Sequence, residues 1–170
     1  MEAFSGHKQE KEPDTFVDMR DTGDNIGGVK AAWVGLRSIA GTWPSLTDIS
    51  PTMPLAQLAD LTEIPLYPYR AGFSQPSQMT DQGLSYPKSF TTTITSDSTE
   101  SIAFTNKFDG QEIMLIYQDQ DDRYWLVFDK VYPGMFLDNF TGGVDPSEGK
   151  SHAITIGGHN HINKKLLTLT

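Results

Sequence analysis

The chain has no cysteine among its 170 residues, so disulfide scaffolds, thiolate metal centres and cysteine nucleophiles are all excluded. It is also short of positive charge. Thirteen Lys and Arg stand against 22 Asp and Glu, a formal net charge of −9, and no basic stripe exists that could release counterions from a phosphate backbone. Long hydrophobic runs are missing too. No window approaches the roughly 20 apolar residues of a membrane-spanning helix, and the opening MEAFSGHKQEKEPD lacks the apolar centre of a secretory signal. The expectation is a chain made in the cytoplasm with no membrane partner.

Proline is present but badly placed for helices. Seven of the ten fall between Pro44 and Pro87, which rules out a long helix or an unbroken central strand there. One helical signal survives in Pro54 to Leu61, PLAQLADL, with proline opening a turn whose Leu55, Leu58 and Ala59 share a face. With 37% apolar and 21% charged residues and many Thr, Gly and Pro, the composition leans towards strands and turns. The expected class is all-β, as one domain over residues 25–170. Before it, residues 1–24 carry ten charged residues and almost no apolar ones, which reads as a flexible arm. Phe4 and Phe16 are its candidate anchors against another subunit.

Within the domain, IGGVKAAWVGL (Ile26 to Leu36) reads as a first strand, closed off by a turn at Trp43-Pro44. Ile64 to Tyr69 reads as an extended edge and Arg70 to Gly83 as a loop. In Leu84 to Thr95, Phe90, Thr92 and Ile94 alternate with Thr91, Thr93 and Thr95, giving one apolar and one hydroxylated face. Ser101 to Thr105 is expected as a short strand, and Asp109-Gly110 as a tight turn. After Pro133-Gly134, the residues Met135, Phe136, Leu137 and Phe140 offer apolar surface; Lys150 to Gly157 reads as a strand broken at Gly157-Gly158, and Lys164 to Thr170 as a last strand.

The densest apolar segment is Glu112 to Asp129, EIMLIYQDQDDRYWLVFD, which reads as a hairpin of Ile113 to Tyr117 and Tyr124 to Phe128 about a polar turn. Both faces of each strand are apolar, so burial on two sides is required. The sequence supplies few other strands to cover them, and a neighbouring subunit becomes the expected second cover. Met114, Ile116, Trp125 and Val127 are the candidate interface residues, and Asp119, Asp121 and Asp122 form a candidate acidic loop at the tip.

Chemistry-bearing patterns are weak. His152, His159 and His161 could present imidazoles to one ion but have no carboxylate beside them, and a strand end is the better reading. From Asp119, a calcium loop would need an oxygen ligand at the fifth position and glycine at the sixth, where Arg123 and Tyr124 stand. Glu112 and Asp129 could form a carboxylate pair for glycoside cleavage, with nothing to set their separation. Gly27-Gly28 is no nucleotide loop, since the Lys-Ser/Thr ending is absent, and no Gly-x-Ser-x-Gly occurs. A non-enzymatic chain without cofactor is expected.

The order Phe108-Asp109-Gly110, EIMLIYQDQDDRYWLVFD, then TGGVDPSEG leading into KSHAITIGGH resembles the small virion proteins of tailed bacteriophages that build tail tubes or head-tail (neck) rings. It covers roughly Leu84 to Leu169. The resemblance implies a β-sandwich or half-barrel with one short helix and a charged N-terminal arm. It also implies a homo-oligomer, in contact with other virion proteins, through which DNA passes without specific binding. A different expectation is a carbohydrate-binding β-sandwich module, with Trp33, Trp43 and Trp125 stacking on sugar rings.

Overall fold

The computed structural model describes residues 28–66, 70–95, 98–142 and 149–170. The fold is mostly β, and everything in it refers to one strand. Elements run in the order β1 (Val29–Leu36), β2 (Thr52–Met53), α1 (Leu55–Leu58), β3 (Thr62–Glu63), β4 (Gly72–Ser74), β5 (Gln78–Thr80), β6 (Gly83–Ile94), α2 (Thr99–Phe108), β7 (Glu112–Asp119), β8 (Tyr124–Phe128), β9 (Gly134–Thr141), β10 (Ser151–Asn160) and β11 (Lys165–Leu169). The arm, with Phe4 and Phe16, lies outside the described residues.

Along one edge β7 pairs antiparallel with β1, from Leu36 opposite Ile113 to Val29 opposite Asp119. Along the other edge it changes partner. Glu112 and Ile113 face Met135 and Gly134 of β9, whereas Leu115 to Gln118 face β8. The sheet therefore forks at β7. One limb continues through β8 and β11 to the short parallel strand β2; the other continues through β9 and β10 to β6, which carries β4 and β5.

The hairpin strands expected in Glu112 to Asp129 are β7 and β8, and their two apolar faces do serve two cores. Ile113, Leu115 and Tyr117 join Ala32 and Val34 of β1, Phe90 of β6, Phe136 of β9 and Ile154 and Ile156 of β10 in the first core. Met114 and Ile116 point the other way and join Leu126 and Leu167 in the second. That second face is covered by the chain itself: Leu46, Met53, Leu58 and Leu61, from the proline-rich stretch, lie on it. Each fully buried Leu, Ile or Met contributes roughly 1.5–3 kcal/mol, so this largely irregular stretch is secured mainly by its side chains, with the short pairing of β2 and β11 beside them.

Alternation fails at one point in β8. Leu115 stands opposite Phe128 but Ile116 stands opposite Leu126, so Val127 is an extra residue, a β-bulge. The bulge puts Val127 and Phe128 together in the first core. Phe128 then fills the angle of the fork, so closely that a Cβ on Gly134 would lie 2.6 Å from its ring and one on Gly158 would lie 2.8 Å away. Here the two limbs touch across a ring with no room for a methyl group.

Four expectations need correction. Ser101 to Thr105 is helical, within α2, because Ser98 caps it by accepting from the Ser101 amide at 3.2 Å, with Glu100 in the first turn and Lys107 in the last. The helix signal at Pro54 shrinks to the single turn of α1, and the longer helix among the described residues is α2. Gly157 and Gly158 do not break β10, which runs through them to Asn160 while Phe128 occupies the space Gly158 leaves. The stretch from Arg70 to Gly83 contains β4 and β5, both paired with β6.

Gly158→Ala is expected to lower stability by about 2 kcal/mol, because the added methyl meets a buried ring and the Pro133 carbonyl oxygen, 3.3 Å from the new Cβ. Urea unfolding would measure it, and Phe128→Leu in the same chain should recover part of the loss.

Candidate subunit interface

Met114, Ile116 and Val127 are not available to a neighbour. They are 3%, 2% and 0% exposed, the first two beneath the chain's own proline-rich cover and Val127 in the first core. The inference that a doubly apolar hairpin needs a second subunit fails because residues of the proline-rich stretch, in loop, short strand and single helical turn, supply the cover without a strand pattern. Trp125 is half-buried, and the ammonium of Lys164 sits 4.0 Å over its ring. Phe73 and Tyr117 flank the same ammonium, which donates to the Tyr117 hydroxyl at 2.7 Å. Trp33 packs on Tyr124 at 5.8 Å, and the Trp43 indole donates to the Ala40 carbonyl. The three tryptophans thus close the edges of the cores.

The acidic tip is paired by its own Arg123 and by Lys30 of β1. Asp119 accepts from the amides of Asp121 and Arg123 at 3.0 and 2.9 Å and from the Trp125 indole at 2.8 Å. Burial pushes its carboxyl up, but the hydrogen bonds from Trp125 and Arg123 and the Arg123 charge outweigh that and hold it below its ordinary range. Arg123 also reaches Asp121 at 2.6 Å, and Lys30 pairs with Asp122, which adopts the left-handed turn conformation at φ 61°. The carboxylates shape the hairpin turn and satisfy one another's neighbours.

Glu112 and Asp129 are equally committed. Glu112 meets Arg37 at 2.6 Å on the surface. Asp129 is 1% exposed and accepts four hydrogen bonds, from Ser45 Oγ and the Leu46 amide on one oxygen and from the Val131 and Tyr132 amides on the other. It is the clasp that ties the proline-rich cover to the β8–β9 turn.

The histidines are dispersed. His152 points inwards and pairs with Asp138 at 2.7 Å, His159 is on the opposite face of β10, and His161 lies 3.4 Å from the Leu84 carbonyl. Among the described residues no group of three or more His, Asp or Glu could hold a metal ion, and no helix is long and apolar enough to cross a membrane.

The outward face of the β9–β10–β6 limb is unlike the rest of the surface. Its cross-strand rows are Met135, Gly157, Ser89 and Ser74; then Leu137, Thr155, Thr91 and Gly72; then Asn139, Ala153 and Thr93. His159 beside Pro87 ends one side. No Asp, Glu, Lys or Arg stands in these rows. Charge returns at the margin, where Arg70 and Lys150 flank Thr93 and Ser151. The strand β6 does contain a lysine, but Lys88 faces inwards, 2% exposed, and donates to the carbonyl of the bulge residue Val127 at 2.9 Å. Burial pushes its ammonium down to about 8, against the pull of Asp129.

Met135 and Leu137 rise 40% and 48% exposed beside the low floor of Gly157. Together with Pro76 and Pro87 they wall a groove of about 430 Å³ over Thr155 and Gly158. The sequence marks Met135 and Leu137 as apolar surface; their partners in the face could be found only by asking which alternate strand positions lack charge. No protein-family profile and no curated protein matches this chain.

Asp129→Ala would strand three backbone donors and release the cover, and a loss of about 3 kcal/mol or more in chemical unfolding is expected. Lys88 gives a pH signature. Below about pH 8 both folded and unfolded chains hold its proton, whereas above it the folded chain releases the proton first, because the unfolded value is 10.5. Stability should therefore rise from pH 8 towards 10 relative to Lys88→Met; parallel profiles for the two proteins would count against a buried ammonium.

Proposed function

We propose that this chain is a structural subunit of a bacteriophage particle, assembling into a ring or tube of the tail or neck through which DNA passes, and acting by assembly and not by catalysis. The observation that carries this reading is the uncharged outward face of the β9–β10–β6 limb. In a chain with 35 charged residues, a sheet face made of Thr, Ser, Gly, Ala, Asn, Met and Leu is costly to leave in water only where its apolar residues cluster. It is cheap to desolvate throughout, because no ion must be stripped of its hydration. Such a face suits a contact between copies of an acidic protein, which repel one another everywhere else.

In this reading the two limbs of the forked sheet, facing each other across the first core, are the open β-sandwich or half-barrel that the virion resemblance implies. The acidic surface suits a wall past which DNA slides, since like charge removes the counterion-release affinity that would hold it. Other virion proteins would be its neighbours, and the virion its final location. The tryptophan rings favour this reading over sugar binding, because the face of Trp125 is already taken by Lys164 at 4.0 Å.

The purified chain is expected to form rings or tubes as concentration rises, seen by light scattering and negative-stain images. Ala153→Glu, which sets a charge into the face, should lower that tendency without lowering the melting temperature. A chain that stays monomeric at every concentration would overturn the proposal.

A further inference from the structure

None of residues 70–80 is buried. They run along the outer edge of β6, held there by three pairs from β4, Gly72 to Ser74 against Thr91 to Ser89, and three from β5, Gln78 to Thr80 against Ser85 to Gly83. A segment with so few buried contacts opens locally well before the whole chain unfolds. Yet β4 is fastened on its other side. Its Phe73 stands opposite Phe90, packs against the first core and meets the Tyr117 ring of β7 at 5.3 Å. The limb that leaves β7 through β9, β10 and β6 therefore touches β7 again at its last strand.

Side chains make that second contact. Among the described residues no backbone hydrogen bond joins β4 to β7, β8 or β11. The fastening comes instead from the link between β10 and β11. There the Lys164 ammonium lies 5.1 Å from the Phe73 ring centroid, 5.3 Å from that of Tyr117 and 4.0 Å from that of Trp125. The Lys164 amide donates to Gln75 Oε1 at 3.0 Å, and the Gln75 side chain donates in turn to Asn163. One cation thus touches β4, β7 and β8 at once, and a cation over aromatic faces is held more strongly where water is partly excluded.

The two sides of this fastening are unequal. The link is fixed, because Asn160 before it is buried and accepts from the Ile162 amide at 3.1 Å, Ile162 packs against the second core, and Lys165 to Leu167 pair with β8. On the other side stands β4, three residues long and attached along one edge.

We propose that β4 and its flanks form a strap that opens as a unit from the side of the first core, and that Lys164 is its latch. Beneath the strap lie the buried rings of Phe90 and Tyr117 and the outer edge of β6 from Ser89 to Thr91, so opening uncovers both apolar surface and strand backbone. The device is independent of the assembly reading.

Amide hydrogen exchange, read by mass spectrometry in low urea, tests it. In the parent chain residues 72–74 are expected to exchange about 100-fold or more faster than β7. Urea below the unfolding transition should hardly change that rate, because a local opening exposes little surface. Lys164→Ala, and Lys164→Met, which keeps an apolar stem without the charge, should speed the exchange of residues 72–74 by about a further ten-fold and leave β7 and β10 as they were. Lys164→Arg keeps a cation that stacks on rings and should retain most of the protection. The strap is overturned if residues 72–74 of the parent exchange only when the whole chain unfolds. The latch is overturned if Lys164→Ala leaves them unchanged, or if it speeds β7 and β10 by the same factor, as a general loss of stability would.

Discussion

Burial of β7 on both faces, while it is hydrogen-bonded on both edges, is the constraint from which the rest of the structure follows. A strand with Ile113, Leu115 and Tyr117 on one side and Met114 and Ile116 on the other exposes apolar surface unless two separate layers form. One layer is built by the inward side chains of β6, β9 and β10. The other is a proline-rich stretch that pairs only through the two-residue strand β2, and is held by the anchoring of Leu46, Met53, Leu58 and Leu61 and by the four hydrogen bonds of Asp129. A buried carboxylate is tolerable there because every bond it accepts satisfies a donor that would otherwise be stranded.

The fork itself depends on a local irregularity. By adding Val127 to β8, the bulge turns Phe128 into the first core and leaves the Val127 carbonyl for Lys88 to bond from the other limb. The ring then rests against Gly134 and Gly158, which leave it room by having no side chain. Bulge, aromatic ring, paired glycines and buried lysine thus form one device that sets how the two limbs meet.

Charge is partitioned to match. The carboxylates of the hairpin tip are spent on turn amides, on Arg123 and on Lys30, and Glu112 is spent on Arg37. The outward face of β9, β10 and β6 carries none. The physical logic of the assembly reading lies in this contrast, since a strongly acidic particle can approach its own copy cheaply only where no ion is desolvated.

Composition and alternation by themselves determined the β class, the hairpin of β7 and β8, the span of β6 and the terminal strand, because period-two patterns and turn residues act locally. They also determined that the hairpin had to be covered twice. What supplied the second cover was decided only by tertiary structure, since the apolar residues of an irregular, proline-interrupted stretch have no period to read. The same holds for α2, whose buried side uses Ser101 and Thr105 and so lacks an apolar stripe, and for the glycine pair of β10, which looks like a break until Phe128 is seen against Gly158. The uncharged face was present in the sequence as alternate residues of three strands. It became a surface only when pairing brought Leu137, Thr155 and Thr91 into one row, because register between distant strands is set by their shared core and not by any one of them.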